Sequence, residues 1–331
     1  MRILVLGGTA FLSAEIARQA AASGDQVTCL ARGTSEAAPD GVTWVRADRS
    51  NGAAAFVDVS GPWDAVVEVS RDPVQAKTAL EVLGSEAGHW TFVSSCSVYA
   101  DHSVPGAAED APVLEPLPDG VAGTPETYGE SKSAIERLTV ESVGGKAHIV
   151  RAGLIGGPGD PSDRYGYWPA RLAANTHSVL VPDIPAAATQ IIDVRDLAAW
   201  ILHAAGRGLA GTYNAMGGVV PFGHYFTESQ RAAGNPAELE TVPEQWLVDH
   251  GVAYWAGPDS LPLWLPPGHE GFQTRSNAAA IAQGMVLRPW QETLRDTLSD
   301  ERTRGLDRDR RAGLKPDTER RLVALRRAEA P

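Results

Sequence analysis

The sequence predicts an α/β chain: a doubly wound parallel sheet with a smaller, mostly C-terminal lobe. Three observations carry this. Ile3–Leu6 is an apolar run of strand length that stops at Gly7-Gly8, and the strong helix formers Ala14–Ala22 follow it. Further strand-length apolar runs alternate with helix patterns as far as about residue 215, the rhythm of βαβ units. Beyond Pro221 that rhythm gives way to helices and proline-rich aromatic stretches, and 331 residues suffice for one large α/β unit plus a second lobe.

The opening strand, glycine turn and helix form the start of a dinucleotide-binding, Rossmann-type unit. The first turn of such a helix leaves backbone N–H groups without partners and carries partial positive charge, so a pyrophosphate fits there. Gly7, Thr9, Ala10, Phe11 and Leu12 are the candidate contacts. Val27–Leu30 reads as the second strand. The residues at its tip face the adenosine ribose in this fold, where a carboxylate suits NAD and a basic group suits the 2′-phosphate of NADP. The tip here is Ala31-Arg32-Gly33-Thr34-Ser35, without a carboxylate. Arg32, helped by Thr34 or Ser35, is the candidate 2′-phosphate ligand, and NADP is the expected cofactor with NAD as the alternative.

Val42–Val45 is a third strand, ending near Asp48. The stretch from Trp63 to Ser70 is a central strand, apolar enough to be covered on both faces. Ser70 and Arg71 follow it where the chain meets the cofactor or the substrate. Pro73–Leu83 is a helix with Asp72 as its cap. The run from Trp90 to Tyr99 is a strand whose exit turns from apolar residues to hydroxyls. Residues 101–125, rich in proline, glycine and acids, form a loop at the mouth of the site. The helix beyond Glu130 places Tyr128 and Lys132 one turn apart on one face. His148–Ala152 is a sixth strand and leads into the shaped loop 153–161. In residues 163–168, Tyr165, Tyr167 and Trp168 offer flat apolar faces and Arg164 an anion clamp, as a substrate wall. Asp196 is expected to cap a helix running through Leu202. Gly211–Ala215 is a late strand, and Phe222–Ala233, Pro243–Gly251 and Pro289–Leu298 are helices. The apolar loop 261–267 reads as lid, oligomer surface or core, and the charged tail from Asp300 as a solvated helix or frayed end.

Composition excludes several classes. A net charge of −12 argues against a general binder of nucleic acid or anionic membrane. Cys29 and Cys96 sit in apolar runs and are expected as buried thiols in a reducing, cytoplasmic setting. No apolar run approaches 18 residues, no metal-ligand spacing occurs among the eight histidines, and G-x-S-x-G is absent.

Taken together, Gly7/Ala10/Ser13 at G-x-x-G-x-x-G spacing, Ser94-Ser95-Cys96-Ser97-Val98-Tyr99 and Tyr128-x-x-x-Lys132 resemble the extended or atypical short-chain dehydrogenase/reductases, often described as NAD-dependent epimerase/dehydratase-like. The resemblance covers residues 1–220 clearly and 274–300 loosely. Ala10 and Ser13 depart from it. It implies a cofactor domain over 1–160 plus about 187–215, a substrate lobe over 161–186 and 216–300, and a charged tail over 301–331. It implies Tyr128 as general acid/base, Lys132 as the group that lowers its pKa and holds the nicotinamide ribose, and Ser95 as the residue that orients the substrate oxygen. Asp48 takes the place of the adenine-binding Asp. Arg71, Ser97, Tyr99, Arg164, Tyr165 and Trp168 are the candidate substrate contacts. The expected function is an NAD(P)-dependent reductase acting on a small-molecule carbonyl as monomer or homodimer. A nucleotide-sugar epimerase with retained cofactor and a non-catalytic dinucleotide-binding scaffold are the alternatives. Cys96 and Ser97 stand where a dehydratase would carry acids.

Overall fold

A computed structural model describes residues 1–34, 37–174, 177–234 and 237–329. Its centre is a parallel sheet of seven strands: β1 (Arg2–Leu6), β2 (Gln26–Ala31), β3 (Thr43–Arg46), β4 (Trp63–Glu68), β5 (Ala87–Ser95), β6 (Ala147–Ala152) and a late strand named below. The strands are parallel because each is followed by a crossover, most of them helical: α1 (Phe11–Ala22), α2 (Pro73–Leu83) and α3 (Tyr128–Val143). The chain continues through β7 (Leu154–Gly156), α4 (Tyr167–Ala174), β8 (Val179–Pro182), β9 (Ala188–Asp193), α5 (Val194–Arg207) and β10 (Gly211–Ala215), the seventh strand. The order across the sheet is β10-β6-β5-β4-β1-β2-β3. It reverses between β1 and β4, which opens a crevice beyond their carboxyl ends.

Period-two alternation decides which helices cover which face. Ile3 and Val5 of β1 join Val67, Val93 and Val150 against Ile16 and Ala20 of α1 and Leu197 and Ile201 of α5. Leu4 and Leu6 point the other way, with Val66, Phe92 and Ile149, onto Ala76 and Leu80 of α2 and Ile135 of α3. Every one of these β1 side chains is at most 1% exposed, and each such burial stabilises the fold by about 1.5–3 kcal/mol. Both cysteines are buried and unpaired. The helix α2 begins at Pro73, where Asp72 caps it by accepting from the Val74 N–H at 2.9 Å.

The smaller lobe has its own core. It is built from α4, β8 and most elements after β10: β11 (Val219–Pro221), α6 (Phe222–Ala233), β12 (Leu239–Val242), α7 (Glu244–Asp249), α9 (Trp290–Arg304) and α10 (Pro316–Glu329), whereas α8 (Ala278–Ala282) packs on β10, with Ala280 in the main core. Trp168, Leu180, Phe222, Leu261, Trp264, Leu294 and Leu322 meet there. The loop 261–267 is therefore core at Leu261, Leu263 and Trp264.

The structure corrects three local expectations. The first helix starts at Phe11, not Ala14, so Phe11 and Leu12 belong to its first turn. Asp193, not Asp196, caps α5, accepting from the Arg195 N–H at 2.8 Å, and the helix runs on to Arg207. Asp196 instead pairs with Arg288 at 2.8 Å. The tail is not solvated along its length. Glu319 of α10 is fully buried, where it accepts from Arg171 Nε at 2.6 Å and the Leu180 N–H at 3.0 Å, while Leu322 and Val323 enter the lobe's core. Asp163 and Glu301, both buried, gather Arg304, Arg308 and Arg310 in the same region.

Candidate active site

The glycine turn closes on close contacts. Gly7 and Gly8 have φ of 134° and 95°, a region that side chains rarely adopt. A Cβ on Gly8 would stand 2.3 Å from the Cys29 sulfur, so the turn is fixed by its packing on β2. Ala10, by contrast, has φ −143°, which any residue adopts, and its methyl is exposed. The departure from glycine there costs the backbone nothing. Ser13 is buried, and its hydroxyl donates to the Ala10 carbonyl at 2.8 Å, filling the space against Gly7. No side chain caps α1 and its first turn holds no acid. That leaves the positive end of a twelve-residue helix suited to an anion.

Beside this turn lies a cleft of about 190 Å³. Gly7 and Thr9 wall one end, Ala31 to Thr34 one side, and Asp48, Arg49, Val69, Ser70 and Gln75 the other. Arg32 is exposed at its rim. Thr34 lines it, while Ser35 lies outside the described residues. Asp48 is at the cleft but also has a structural task. Its carboxylate accepts from the Ser50 N–H at 2.9 Å and caps the short 3₁₀ stretch that follows. That hydrogen bond, and more weakly the charge of Arg32, hold its pKa below the usual carboxylate range.

Sequence reasoning misses two residues here, Glu68 and Arg49. Glu68, 1% exposed at the end of β4, is held by both terminal nitrogens of Arg49 at 2.8 and 2.6 Å, and it accepts from the Ser70 N–H at 2.8 Å. A buried carboxylate requires such partners. The signal for the pair is the acid that closes the strand WDAVVE directly after its apolar run Ala65–Val67.

At the carboxyl end of β5 the chain brings Ser95, Tyr128 and Lys132 together. The Ser95 hydroxyl lies close enough to Tyr128 to lower its pKa; it donates to the Ser97 hydroxyl and receives the Ser97 N–H, each at 3.2 Å. Tyr128 is the first residue of α3, and Lys132 lies one turn on. The ammonium of Lys132 donates to the carbonyls of Ser70 and Val93, each at 2.7 Å, and so ties the ends of β4 and β5 to the helix. Its burial pushes its pKa down to about 7. A second set of bonds fixes α3 on the sheet. Glu136 accepts from the Ser94 hydroxyl at 2.5 Å and from Arg151 Nη2 at 2.8 Å, and Arg151 Nη1 reaches the Tyr99 hydroxyl at 3.1 Å.

The electrostatics differ from the expectation in one respect. Burial raises the Tyr128 pKa, and the forces that pull it back are the nearby Ser95 hydroxyl and the charges of Arg71 and Arg164. The Lys132 ammonium lies 5.9 Å from the phenol ring and spends its hydrogen bonds on backbone carbonyls.

The substrate contacts expected from the sequence divide. Arg71, Arg164 and Ser97 belong to this neighbourhood: the Arg71 guanidinium is 5.8 Å from the Tyr128 ring, and Arg164 lies close enough to Tyr128 and Arg71 for their charges to interact. Tyr99, Tyr165 and Trp168 do not offer a wall. Tyr99 is 1% exposed, bonded to Asn214 at 2.6 Å and stacked beneath Arg275 at 3.8 Å. Tyr165 and Trp168 are core of the smaller lobe, with Trp168 Nε1 donating to the Pro262 carbonyl at 2.7 Å. An aromatic and basic stretch reads alike on a wall or in a core, and here α4 turns its aromatic side inward.

No group of side chains suited to a metal occurs among the described residues, and no helix among them is long and apolar enough to cross a membrane. No protein-family model matches the chain, and no curated protein matches it. Solved structures do. UDP-glucose 4-epimerase of Thermus thermophilus, in complex with NAD, aligns at a TM-score of 0.62 with 20% identity, over 91% of this chain and 99% of that one. UDP-N-acetylglucosamine 4-epimerase of Bacillus cereus gives 0.67 at 15% identity, over 92% and 100%. UDP-glucuronic acid 4-epimerase of the same organism, with NAD, gives 0.67 at 13%, over 92% and 99%. At these identities the likeness is one of fold: the chain has the Rossmann-type architecture that these structures share.

Proposed function

We propose that this chain is an NAD(P)-dependent enzyme that works by reversible hydride transfer at a secondary alcohol, with Tyr128 as the proton carrier and a nucleotide-sugar epimerization as its overall reaction. One observation carries the reading: Tyr128 opens α3 beside Ser95 at the carboxyl edge of β5, with Lys132 one turn away and tied to the ends of β4 and β5, beside the crevice where the strand order reverses. The uncapped end of α1 and the cleft from Gly7 to Ser70 fit a dinucleotide, with Thr9, Ala10, Phe11 and Leu12 at its pyrophosphate and Arg32, Thr34 and Asp48 at its adenosine. When bound, the nicotinamide supplies the hydride acceptor and return donor.

The chain's own residues handle the proton. Ser95 and Tyr128 both hydrogen-bond the substrate oxygen, and Tyr128 takes its proton as the carbonyl forms and returns it as the alcohol reforms. A phenol whose pKa burial has raised needs nearby positive charge to ionise near neutral pH. Arg71 and Arg164 supply it here. Lys132 adds to it if its ammonium exchanges the Ser70 and Val93 carbonyls for the hydroxyls of a ribose. The fold shared with three nucleotide-sugar 4-epimerases favours retained cofactor over net reduction. Arg32, unopposed by a carboxylate at the tip of β2, favours NADP and supports a reductase as the second reading.

The experiment is to incubate the purified protein, without added cofactor and then with NAD or NADP, with UDP-glucose, UDP-N-acetylglucosamine and UDP-glucuronic acid. Appearance of the C4 epimer with no net change in the absorbance of reduced nicotinamide supports the epimerase. Consumption of NADPH with a carbonyl substrate and no epimer replaces it by the reductase. Binding of NAD or NADP with no turnover of any substrate leaves the scaffold, and binding of neither removes all three readings.

A further inference from the structure

We infer that Arg71 and Arg164 form an anion clamp beside Tyr128, so that the substrate carries a carboxylate or phosphoryl group next to its reacting carbon. The inference rests on the reading of Tyr128 as the proton carrier.

The two arginines come from different lobes. Arg71 follows β4 and reaches within 5.8 Å of the Tyr128 ring. Arg164 comes from the loop after β7 and lies over the Trp255 ring at 5.0 Å. Trp255 meets Phe272 edge-on at 5.3 Å, and Phe272 packs on the cluster of Cys96, Val98 and Tyr99. That chain of contacts brings Arg164 to the β5 exit, where its charge also acts on Cys96. Each guanidinium lowers the pKa of Tyr128, and the two act on each other as like charges.

Neither guanidinium has an ion pair or a side-chain hydrogen bond among the described residues. Arg71 is exposed and Arg164 half-buried; four other arginines with little exposure are paired, Arg49 with Glu68, Arg151 with Glu136, Arg171 with Glu319 and Arg195 with Asp193, while Arg275, also buried, bonds only the Asp101 carbonyl and His102. The one acid facing Arg164 is Asp160, itself buried, and its carboxylate is occupied by the backbone N–H and hydroxyl of Ser162 at 2.8 and 2.9 Å. Two converging cations with unused donors attract an anion and bind it through charge-assisted hydrogen bonds, bidentate where the guanidinium plane allows. An anion there stands beside the phenol. It thereby fixes which carbon of the substrate meets Tyr128, and it supplies specificity for a charged over a neutral sugar.

Calorimetric titration of the NAD-loaded protein with malonate, inorganic phosphate and glucose tests the clamp without turnover, because bound NAD fills the pyrophosphate site. The expected result is one binding site for malonate or phosphate and none for glucose. Affinity should fall about tenfold or more in Arg71→Gln and in Arg164→Gln, and recover in part in the lysine variants. Malonate binding tighter than phosphate assigns a carboxylate; the reverse assigns a phosphoryl group. Anions that do not bind, variants that bind them as the parent does, or variants that lose NAD instead overturn the clamp. Kinetics with UDP-glucuronic acid and UDP-glucose, which differ at one carboxylate, separate this inference from the reading beneath it. A kcat/KM ratio of about ten or more for the acid, lost in Arg164→Gln, supports both. Anion binding that both variants lose, with neither sugar turned over, retains the clamp and removes the epimerase. Equal kcat/KM for both sugars, with the ratio between them unchanged in both variants even where turnover of both falls, retains the epimerase and removes the clamp.

Discussion

Lys132→Met separates the cost of burying an ammonium from the value of the bonds it makes. Lys132 is 3% exposed, and burial pulls its pKa from 10.5 to about 7. Each tenfold loss of proton affinity is worth about 1.36 kcal/mol, so the folded state holds the charged form at a cost of about 4 kcal/mol at pH 7 relative to an amine that stays neutral. The unfolded chain binds the proton up to pH 10.5, while the folded chain has largely released it above about 7. Stability from this group therefore rises with pH between about 7 and 10.5 and is lost as pH falls towards 7. At pH 9.5 the remaining cost is about 1 kcal/mol. Against this stand the bonds to the Ser70 and Val93 carbonyls, each worth about 1.5–3 kcal/mol while the donor is charged and about 0.5–1.5 kcal/mol once it is neutral. Near pH 7 the two effects in Lys132→Met almost cancel. At pH 9.5 the relief has mostly gone, and the lost bonds leave the variant less stable. The difference between parent and variant should thus change by about 3 kcal/mol between pH 7 and 9.5, read by urea unfolding of the cofactor-free protein at both pH values. A difference that does not move with pH would refute the buried, proton-shedding ammonium.

Three further outcomes follow from the geometry. Tyr128→Phe removes the proton carrier but keeps the ring, so turnover should fall by about 10² or more with NAD(P) affinity retained, checked by steady-state kinetics and fluorescence titration. Glu319→Ala leaves Arg171 unpaired against the smaller lobe and should lower stability by about 3–5 kcal/mol, with α10 becoming the first segment cut in limited proteolysis. Gly8→Ala sets a methyl 2.3 Å from the Cys29 sulfur at φ 95°; urea unfolding should show a loss of about 1–3 kcal/mol or more, accompanied by weakened dinucleotide binding.

Where neighbours in sequence are neighbours in space, the sequence is legible. The strand–turn–helix opening, α2 with its Asp72 cap and α6 follow from local pattern, and their bounds in the structure agree closely, apart from the earlier start at Phe11. The Tyr128–Lys132 spacing needs only a helix. Local pattern misleads where a distant partner decides. Asp193 and Asp196 both stand at cap distance from α5, and Arg288, 92 residues beyond Asp196, draws that acid away. The tail reads as solvated because its Arg and Glu residues look like a charged surface, yet Asp163 and Glu301 gather those arginines from across the lobe. Lys132 pairs in the sequence with its helix neighbour, while the two carbonyls that hold it are 62 and 39 residues away. The approach of Arg71 and Arg164 to one phenol likewise depends on how the two lobes meet.

A crystal structure of the protein with NADP or NAD bound tests the central claim most directly. The account predicts the pyrophosphate at the first turn of α1, the nicotinamide ring against Tyr128 and Ser95, and the Lys132 ammonium on a ribose hydroxyl. A ring held away from Tyr128, or a cleft that takes up neither dinucleotide at millimolar concentration, would contradict it.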